Sequence, residues 1–131
     1  MLFRSSKNDA GEETSSIQYL ENTGIRTGGM VFDLQKVKFY NFIFFNSEFP
    51  YLYDTDKDGD LDVLLGKAAG GISYYKNTGT TQNPVFVLSN SALGAIPSGS
   101  AGRQTRLAVA DLNLDGKDDL IVTNNTGKTT V

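Results

Sequence analysis

Two short acidic segments, 57 residues apart, contain the side chains with the clearest capacity for chemistry. The first acidic loop is residues 54–62, with five Asp residues, and the second acidic loop is residues 111–119, with four Asp residues and one Asn. Both fit the pattern D-x-[DN]-x-D-G-x-x-D. Carboxylates crowded this closely repel one another unless a cation lies among them. Oxygen ligands at alternate positions, with a glycine that turns the chain sharply, are what a hard cation such as Ca²⁺ requires.

The order of the residues within each loop predicts which atoms would bind the ion. Positions 1, 3, 5 and 9 offer side-chain oxygens, and position 7 offers its backbone carbonyl. Lys117 occupies position 7 of the second loop, where an ammonium group facing the ion would repel it. The predicted ligands are Asp54, Asp56, Asp58, Asp60 and Asp62 in the first loop and Asp111, Asn113, Asp115, Lys117 and Asp119 in the second. Because Asn113 replaces a charge with a neutral oxygen, we expect the second site to be weaker.

Other metal-binding patterns share part of this motif. An EF-hand needs a bidentate Glu at position 12, where this chain has Leu65 and Val122. Dockerin-type loops also require an acidic residue at position 12, and thrombospondin-type calcium repeats require Cys, which this chain lacks. A turn without metal is the alternative for a single loop, but two complete copies argue against it. Mg²⁺ is a lesser alternative because it prefers fewer protein ligands and strict octahedral geometry.

The composition excludes several classes of function. The chain has no Cys and no His, which argues against thiolate sites, zinc or iron centres and His-based catalysis. The net charge is −3, but the two loops hold nine of the fifteen acidic residues and two of the twelve basic ones. No basic stripe interleaved with aromatic residues suggests nucleic acid. No apolar run reaches the roughly 18 residues of a membrane span.

The two loops belong to a larger repeat. Residues 17–24 match residues 72–79 at an offset of 55, in the Asn-Thr-Gly ending as well as in the apolar positions. The apolar segments are short, rich in β-branched or aromatic residues, and separated by Gly, Asn, Asp and Thr clusters, which predicts strands. Four short strands in each unit of nearly 60 residues predict an all-β fold of four-stranded antiparallel β-propeller blades. We expect an incomplete propeller of about two blades.

This repeat predicts how the chain is divided. We expect a flexible segment at 1–16, the end of one blade with an aromatic-rich connection at 17–50, a complete blade with its connection at 51–105, and the start of the next blade at 106–131. A propeller needs about four to eight blades to close. We therefore expect the chain to be a segment of a longer protein, in which further blades or another copy cover the open edges.

An aromatic-rich stretch precedes the first acidic loop. It contains eight of the fourteen aromatic residues, namely Phe39, Tyr40, Phe42, Phe44, Phe45, Phe49, Tyr51 and Tyr53. We expect an extra strand or an inter-blade plug whose rings lie in the core. The alternative is an exposed patch that binds a glycan or a protein, since large exposed apolar patches often mark interaction sites.

Residues 54–66, 72–79 and 83–86 together resemble the FG-GAP/VCBS-type repeat, which is related to the calcium-binding blades of integrin α-subunits. The resemblance covers about residues 17–131, with interruptions, and the name-giving Phe-Gly and Gly-Ala-Pro strings are absent. It implies a propeller with structural Ca²⁺ ions in hairpin loops of some blades. It also implies a role in adhesion or ligand binding in a secreted or surface protein.

Three functions are consistent with these features. The first is a non-catalytic, calcium-rigidified binding module with a protein or glycan ligand. The second is part of a carbohydrate-active or other hydrolytic propeller enzyme whose catalytic residues lie elsewhere, and the third is a structural array that spaces other domains. We expect an extracellular or cell-surface location, because calcium there is abundant enough to fill sites of about 10⁻⁴–10⁻³ M affinity. Residues 1–10 lack the apolar core of a signal peptide, so we expect this numbering to begin inside a longer precursor.

Overall fold

The computed structural model describes residues 2–7, 9–26, 29–32, 38–96, 103–125 and 129–130. These residues form strands, loops and one 3-10 turn, which confirms the predicted all-β class. The chain divides into two compact units, Met1–Asn46 and Ser47–Val131.

The first unit contains two antiparallel sheets. Its strands are β1 (Leu2–Lys7), β2 (Glu13–Tyr19), β3 (Asn22–Arg26), β4 (Gly29–Phe32) and β5 (Lys38–Phe45). One sheet has the order β1-β2-β5, and β3 pairs with β4 in the other. The β1–β2 hairpin occupies much of the segment 1–16, for which we expected flexible chain. Gly11 supports the turn of this hairpin with a φ of 78°, which favours glycine, and so lets two polar strands pair.

Strand β5 is the extra strand that the aromatic-rich stretch predicts. Phe42 and Phe44 are buried, whereas the alternate residues Ile43 and Phe45 are 67% and 49% exposed. This period of two is that of a strand with one covered face. The aromatic-rich stretch therefore contributes to the core through Phe42 and Phe44. The side chain of Phe39 lies outside the described residues.

The second unit contains the predicted blade and the start of another. Its strands are β6 (Phe49–Tyr53), β7 (Asp62–Gly66), β8 (Ile72–Asn77), β9 (Phe86–Asn90), β10 (Arg106–Ala110), β11 (Asp119–Thr123) and β12 (Thr129–Thr130). Strands β6-β7-β8-β9 form a four-stranded antiparallel sheet, and β10-β11-β12 form a three-stranded one. Every connection within the four-stranded sheet joins neighbouring strands. This up-and-down order is that of a propeller blade, so the chain contains incomplete propeller blades as the sequence predicts.

Residues from both of these sheets form a common core. Leu64 of β7 and Ile72 of β8 are buried together with Val122 of β11. Half-buried residues pack around them, namely Tyr51, Tyr53, Tyr74, Leu93, Ile96, Leu107, Val109 and Leu120. All residues of β7 are buried, as expected for a central strand. Burying a large aliphatic side chain stabilises a fold by about 1.5–3 kcal/mol, so this cluster holds the two sheets against each other.

The residues just before β10 are hydrogen bonded to the residues just after β7. The Thr105 backbone N–H donates to the Lys67 carbonyl at 3.2 Å, and the Gln104 N–H donates to the Ala68 carbonyl at 3.0 Å. A Cβ atom on Gly66 would collide with the backbone carbonyl of Thr105, so this approach requires glycine. The connection between β9 and β10 includes a short 3-10 turn at Leu93–Ala95, and residues 97–102 lie outside the described residues.

Candidate metal-binding site

The first acidic loop joins β6 to β7 and is folded by its own carboxylates. Asp54 accepts the Asp58 N–H at 3.1 Å through Oδ1 and the Gly59 N–H at 3.1 Å through Oδ2. Asp58 Oδ1 accepts the Asp60 N–H at 3.2 Å. Gly59 has a φ of 97°, which lets the loop turn back towards β7. The D-x-D-x-D-G spacing thus produces a turn in which alternate side chains point to the same interior.

Three of the predicted ligands converge at this turn. One carboxylate oxygen from each of Asp54, Asp56 and Asp58 lies within 4.8 Å of the other two. Asp54 is half-buried, and the other two are exposed. Three negative charges at this separation repel one another, and an oxygen-rich set of this kind is suited to a hard cation. This cluster could therefore hold a metal ion.

The side chain of Asp60 also lies at this interior. Its Oδ1 atom is buried and has no hydrogen-bond partner among the described residues. Desolvation raises the pKa of Asp60, and the nearby charges of Asp58 and Asp62 raise it further, against a hydrogen bond with the Asn77 side chain. A buried carboxylate oxygen without a donor is costly unless a cation or a proton satisfies it. The donor set therefore fits a metal ion, and Asp60 can offer it a side-chain oxygen as well as the predicted carbonyl.

Asp62 closes the loop and is the most firmly held of the five. Its side chain is fully buried. Oδ1 accepts the Asn77 N–H at 2.8 Å, and Oδ2 accepts the Thr55 N–H and the Tyr74 hydroxyl, both at 3.1 Å. These bonds tie the loop to β8, and the negative charge of Asp62 contributes, after burial, to raising the pKa of Tyr74 to about 12. Three donors on one buried carboxylate show that Asp62 positions the loop.

Lys76 supplies a positive charge to the carboxylate cluster. Its ammonium group donates to Asp56 Oδ2 and lies 3.4 Å from Asp58 Oδ2. The hydrogen bond from Lys76 lowers the pKa of Asp56, and the same bond raises the pKa of Lys76. Lys76 was not predicted as part of the site, because it follows the first acidic loop by fourteen residues and lies on β8, beyond strand β7.

The second acidic loop, between β10 and β11, repeats these bonds position by position. Asp111 accepts the Asp115 N–H at 3.1 Å and the Gly116 N–H at 2.8 Å. Asp115 accepts the Lys117 N–H at 2.9 Å, and Asp119 accepts the Leu112 N–H at 3.0 Å. The residue at position 4 has a positive φ in both loops, 62° at Lys57 and 60° at Leu114. The repeat predicted from sequence is therefore a repeat of backbone conformation.

A bridge joins the two loops directly. Asp118 of the second loop accepts a hydrogen bond from the Tyr53 hydroxyl and one from Lys57 Nζ at 2.5 Å. Lys57 also donates to the Tyr53 hydroxyl at 2.8 Å and lies 5.1 Å from the centroid of its ring. The hydrogen bond from Lys57 is the main reason that the pKa of Asp118 is lowered. None of these three residues was predicted as part of the site.

The Asn-Thr-Gly segments, quoted above only as part of the repeat, have a defined role beside the loop. Asn77 Oδ1 accepts the N–H groups of Gly79 at 3.0 Å and Val85 at 2.9 Å, while the Asn77 N–H donates to Asp62. Asn22, its match at offset 55, accepts the Gly24 N–H at 3.2 Å in the same way. The shared spacing therefore encodes a turn that, in the second unit, also anchors the acidic loop.

The comparisons with known proteins agree with this geometry. The family model for an FG-GAP-like repeat matches residues 54–122, from the first Asp of the first loop to the buried Val122 of β11. This chain belongs to the FG-GAP-like repeat family. The matched FG-GAP-like segment contains both acidic loops, the Asn-Thr-Gly turn and the three strands β7, β8 and β9 of the blade. No curated protein and no solved structure matched the chain.

Family membership supports a β-propeller repeat module, and FG-GAP-like repeats are typically non-catalytic structural modules. Among the described residues, no helix is long and apolar enough to cross a membrane.

Proposed function

We propose that this FG-GAP-like repeat is a calcium-binding β-propeller module of a secreted or surface protein. The observation that carries the proposal is the cluster of carboxylate oxygens from Asp54, Asp56 and Asp58, which lie within 4.8 Å of one another. The same loop holds a buried Asp60 oxygen that has no hydrogen-bond partner in the described part of the chain. The residues that would hold the ion are those predicted from the pattern. A bound Ca²⁺ would supply positive charge that neutralises the loop and fixes its conformation.

Calcium is favoured over magnesium by the number of protein oxygens in reach. Ca²⁺ accepts six to eight oxygen ligands in flexible geometry, whereas Mg²⁺ requires a strict octahedron and keeps several waters. The first loop offers carboxylates at positions 1, 3, 5 and 7 and backbone carbonyls between them. Asp62 at position 9 is already hydrogen bonded through both oxygens, so its role is to hold the loop from β8 and to coordinate with a remaining lone pair.

In this proposal the ion stabilises the module and other surfaces bind the ligand. Each loop joins the two strands that pack around Leu64 and Val122, so an ion that fixes the loop also fixes the strand ends. The second loop carries two exposed apolar side chains, Leu112 and Leu114, which are 52% and 87% exposed. Adhesion or binding of a protein or carbohydrate ligand in the extracellular space is the role we propose for the parent protein. It agrees with the resemblance to integrin-type and VCBS-type blades.

Thermal unfolding of the full chain tests the proposal. If calcium is present at about ten times the dissociation constant of each site, binding adds about 1.4 kcal/mol per site. Two sites then raise Tm by about 10 °C relative to EGTA, and Mg²⁺ at the same concentration gives less. Asp58→Asn should remove about half of the calcium-dependent rise. The control Glu21→Gln, which also removes one exposed negative charge, should leave the rise unchanged. Identical Tm values with calcium and with EGTA would contradict the proposal.

A further inference from the structure

The first acidic loop has a positively charged group of its own at the carboxylate cluster. We propose that Lys76 is a built-in competitor for the divalent cation, so that calcium binds the first loop only by displacing the Lys76 ammonium group from Asp56 and Asp58. This inference rests on the proposed calcium-binding function and adds a residue that sets the affinity of the site.

The backbone places Lys76 where it can act in this way. Lys76 lies on β8, where it pairs with Val87 of β9, and it directly precedes Asn77, whose N–H binds Asp62. Side chains two residues apart on a strand lie on the same face, so Lys76 and Tyr74 are directed to the same side of the sheet. Tyr74 donates to Asp62 from that side. The strand that anchors the loop therefore also brings the ammonium group to it.

The ammonium group and an ion would use the same oxygen atoms. Lys76 Nζ bonds Asp56 Oδ2 and lies 3.4 Å from Asp58 Oδ2, and these residues supply two of the three clustered carboxylates. Calcium binds its oxygens at about 2.3–2.6 Å, so both carboxylates would have to turn from the ammonium group to the ion. A singly charged and a doubly charged cation on the same two carboxylates repel each other strongly.

The consequence is a loop that is stable without metal but binds calcium weakly. Without the ion, Lys76 neutralises part of the charge of five Asp residues, which relieves their repulsion. With the ion, the ion pairs of Lys76 are lost, and the observed affinity is reduced accordingly. Among the described residues, no ammonium group contacts Asp111 or Asp115 of the second loop. Lys76 therefore opposes the effect of Asn113, which by charge alone would make the second site the weaker one.

Calcium titration of a matched pair of variants tests this inference. Lys76→Met keeps most of the aliphatic side chain and removes its charge. The control Lys67→Met removes a charge whose ammonium group donates to the Ser91 carbonyl. Isothermal titration calorimetry on the full chain carrying Asp115→Ala isolates the first loop. We expect Lys76→Met to tighten calcium binding by roughly tenfold, the order set by two partly exposed ion pairs and the repulsion between the cations. Lys67→Met should leave the affinity unchanged.

A second measurement separates competition from a purely structural role. In EGTA, Lys76→Met should lower Tm, because the loop loses its internal cation, while in saturating calcium the variant and the unmodified chain should have closely similar Tm values. Lys76→Gln is a second variant with the same expectation. If both variants bind calcium no more tightly than the chain with Lys76, the competition by Lys76 is wrong, while the proposed calcium-binding function still stands. If neither the unmodified chain nor the variants bind calcium, both the competition by Lys76 and the proposed calcium-binding function are wrong. If the first loop binds calcium only after Lys76→Met, the ammonium group of Lys76 fully blocks the site, which supports the competition.

Discussion

Replacing Asp62 by Asn should destabilise the second unit much more than the same replacement at Asp119. Both residues occupy position 9 of an acidic loop, and both accept the N–H of position 2. Asp62 is fully buried and accepts two further bonds, from Tyr74 and Asn77 of β8. Asp119 is half-buried and has no such further bonds among the described residues. The pair therefore compares the same chemical change in two loops that differ in how they are anchored.

The magnitude follows from the donors around Asp62. An Asn side chain keeps one oxygen, which can still accept from the Asn77 N–H, but its amide nitrogen then faces the Thr55 N–H and the Tyr74 hydroxyl. The hydroxyl can rotate and accept, whereas the Thr55 N–H loses its partner at a cost of about 1–3 kcal/mol. The remaining bond to Asn77 changes from a charged to a neutral acceptor, which costs about 1 kcal/mol more. We expect a total loss of about 3 kcal/mol for Asp62→Asn and about 1 kcal/mol for Asp119→Asn.

Urea unfolding of the full chain in EGTA measures both values without a contribution from bound metal. The free energy of unfolding is extrapolated to water for the unmodified chain and for each variant, with Tyr fluorescence as the signal. A loss for Asp62→Asn no larger than that for Asp119→Asn would mean that the bonds to β8 do not anchor the loop.

Four further substitutions test other contacts. Gly66→Ala should lower the free energy of unfolding by about 3 kcal/mol, because the added Cβ collides with the backbone of Thr105. Gly59→Ala should lower it by about 1 kcal/mol, because the added Cβ meets open space but the φ of 97° is strained for alanine. Ile72→Ala should cost about 3 kcal/mol in the shared core, and a loss below about 1 kcal/mol in urea unfolding would contradict the packing described. Lys57→Met should lower Tm at low salt by breaking the bridge to Asp118, and this loss should vanish at about 1 M salt, where charges are screened. The same loss at both salt concentrations would mean that the bridge is not electrostatic.

Much of the fold was predictable because its signals are local. The strand β10 and the core of β7 and β8 follow from short apolar runs between turn residues, and the Asp54 and Asp111 turns follow from the D-x-[DN]-x-D-G spacing. These features depend on residues less than ten positions apart. Local propensity and turn chemistry therefore determine them.

The features that sequence analysis missed depend on contacts between distant residues. Lys76 reaches Asp56 across 20 positions, and Lys57 reaches Asp118 across 61. Their positions are set by the pairing of β7 with β8 and by the packing of the two sheets, which no local pattern reports. The β1–β2 hairpin was missed for another reason, since its strands are polar and lack the apolar alternation that predicts a strand.

Counting the bound ions is the decisive test of whether the two acidic loops of this FG-GAP-like repeat bind calcium. Equilibrium dialysis of the full chain against calcium gives the number of ions per chain, and the chain carrying both Asp58→Asn and Asp115→Asn is the control. We expect two ions per unmodified chain and none in the double variant. A chain that binds no calcium, or one that binds the same number of ions after both substitutions, would contradict this expectation.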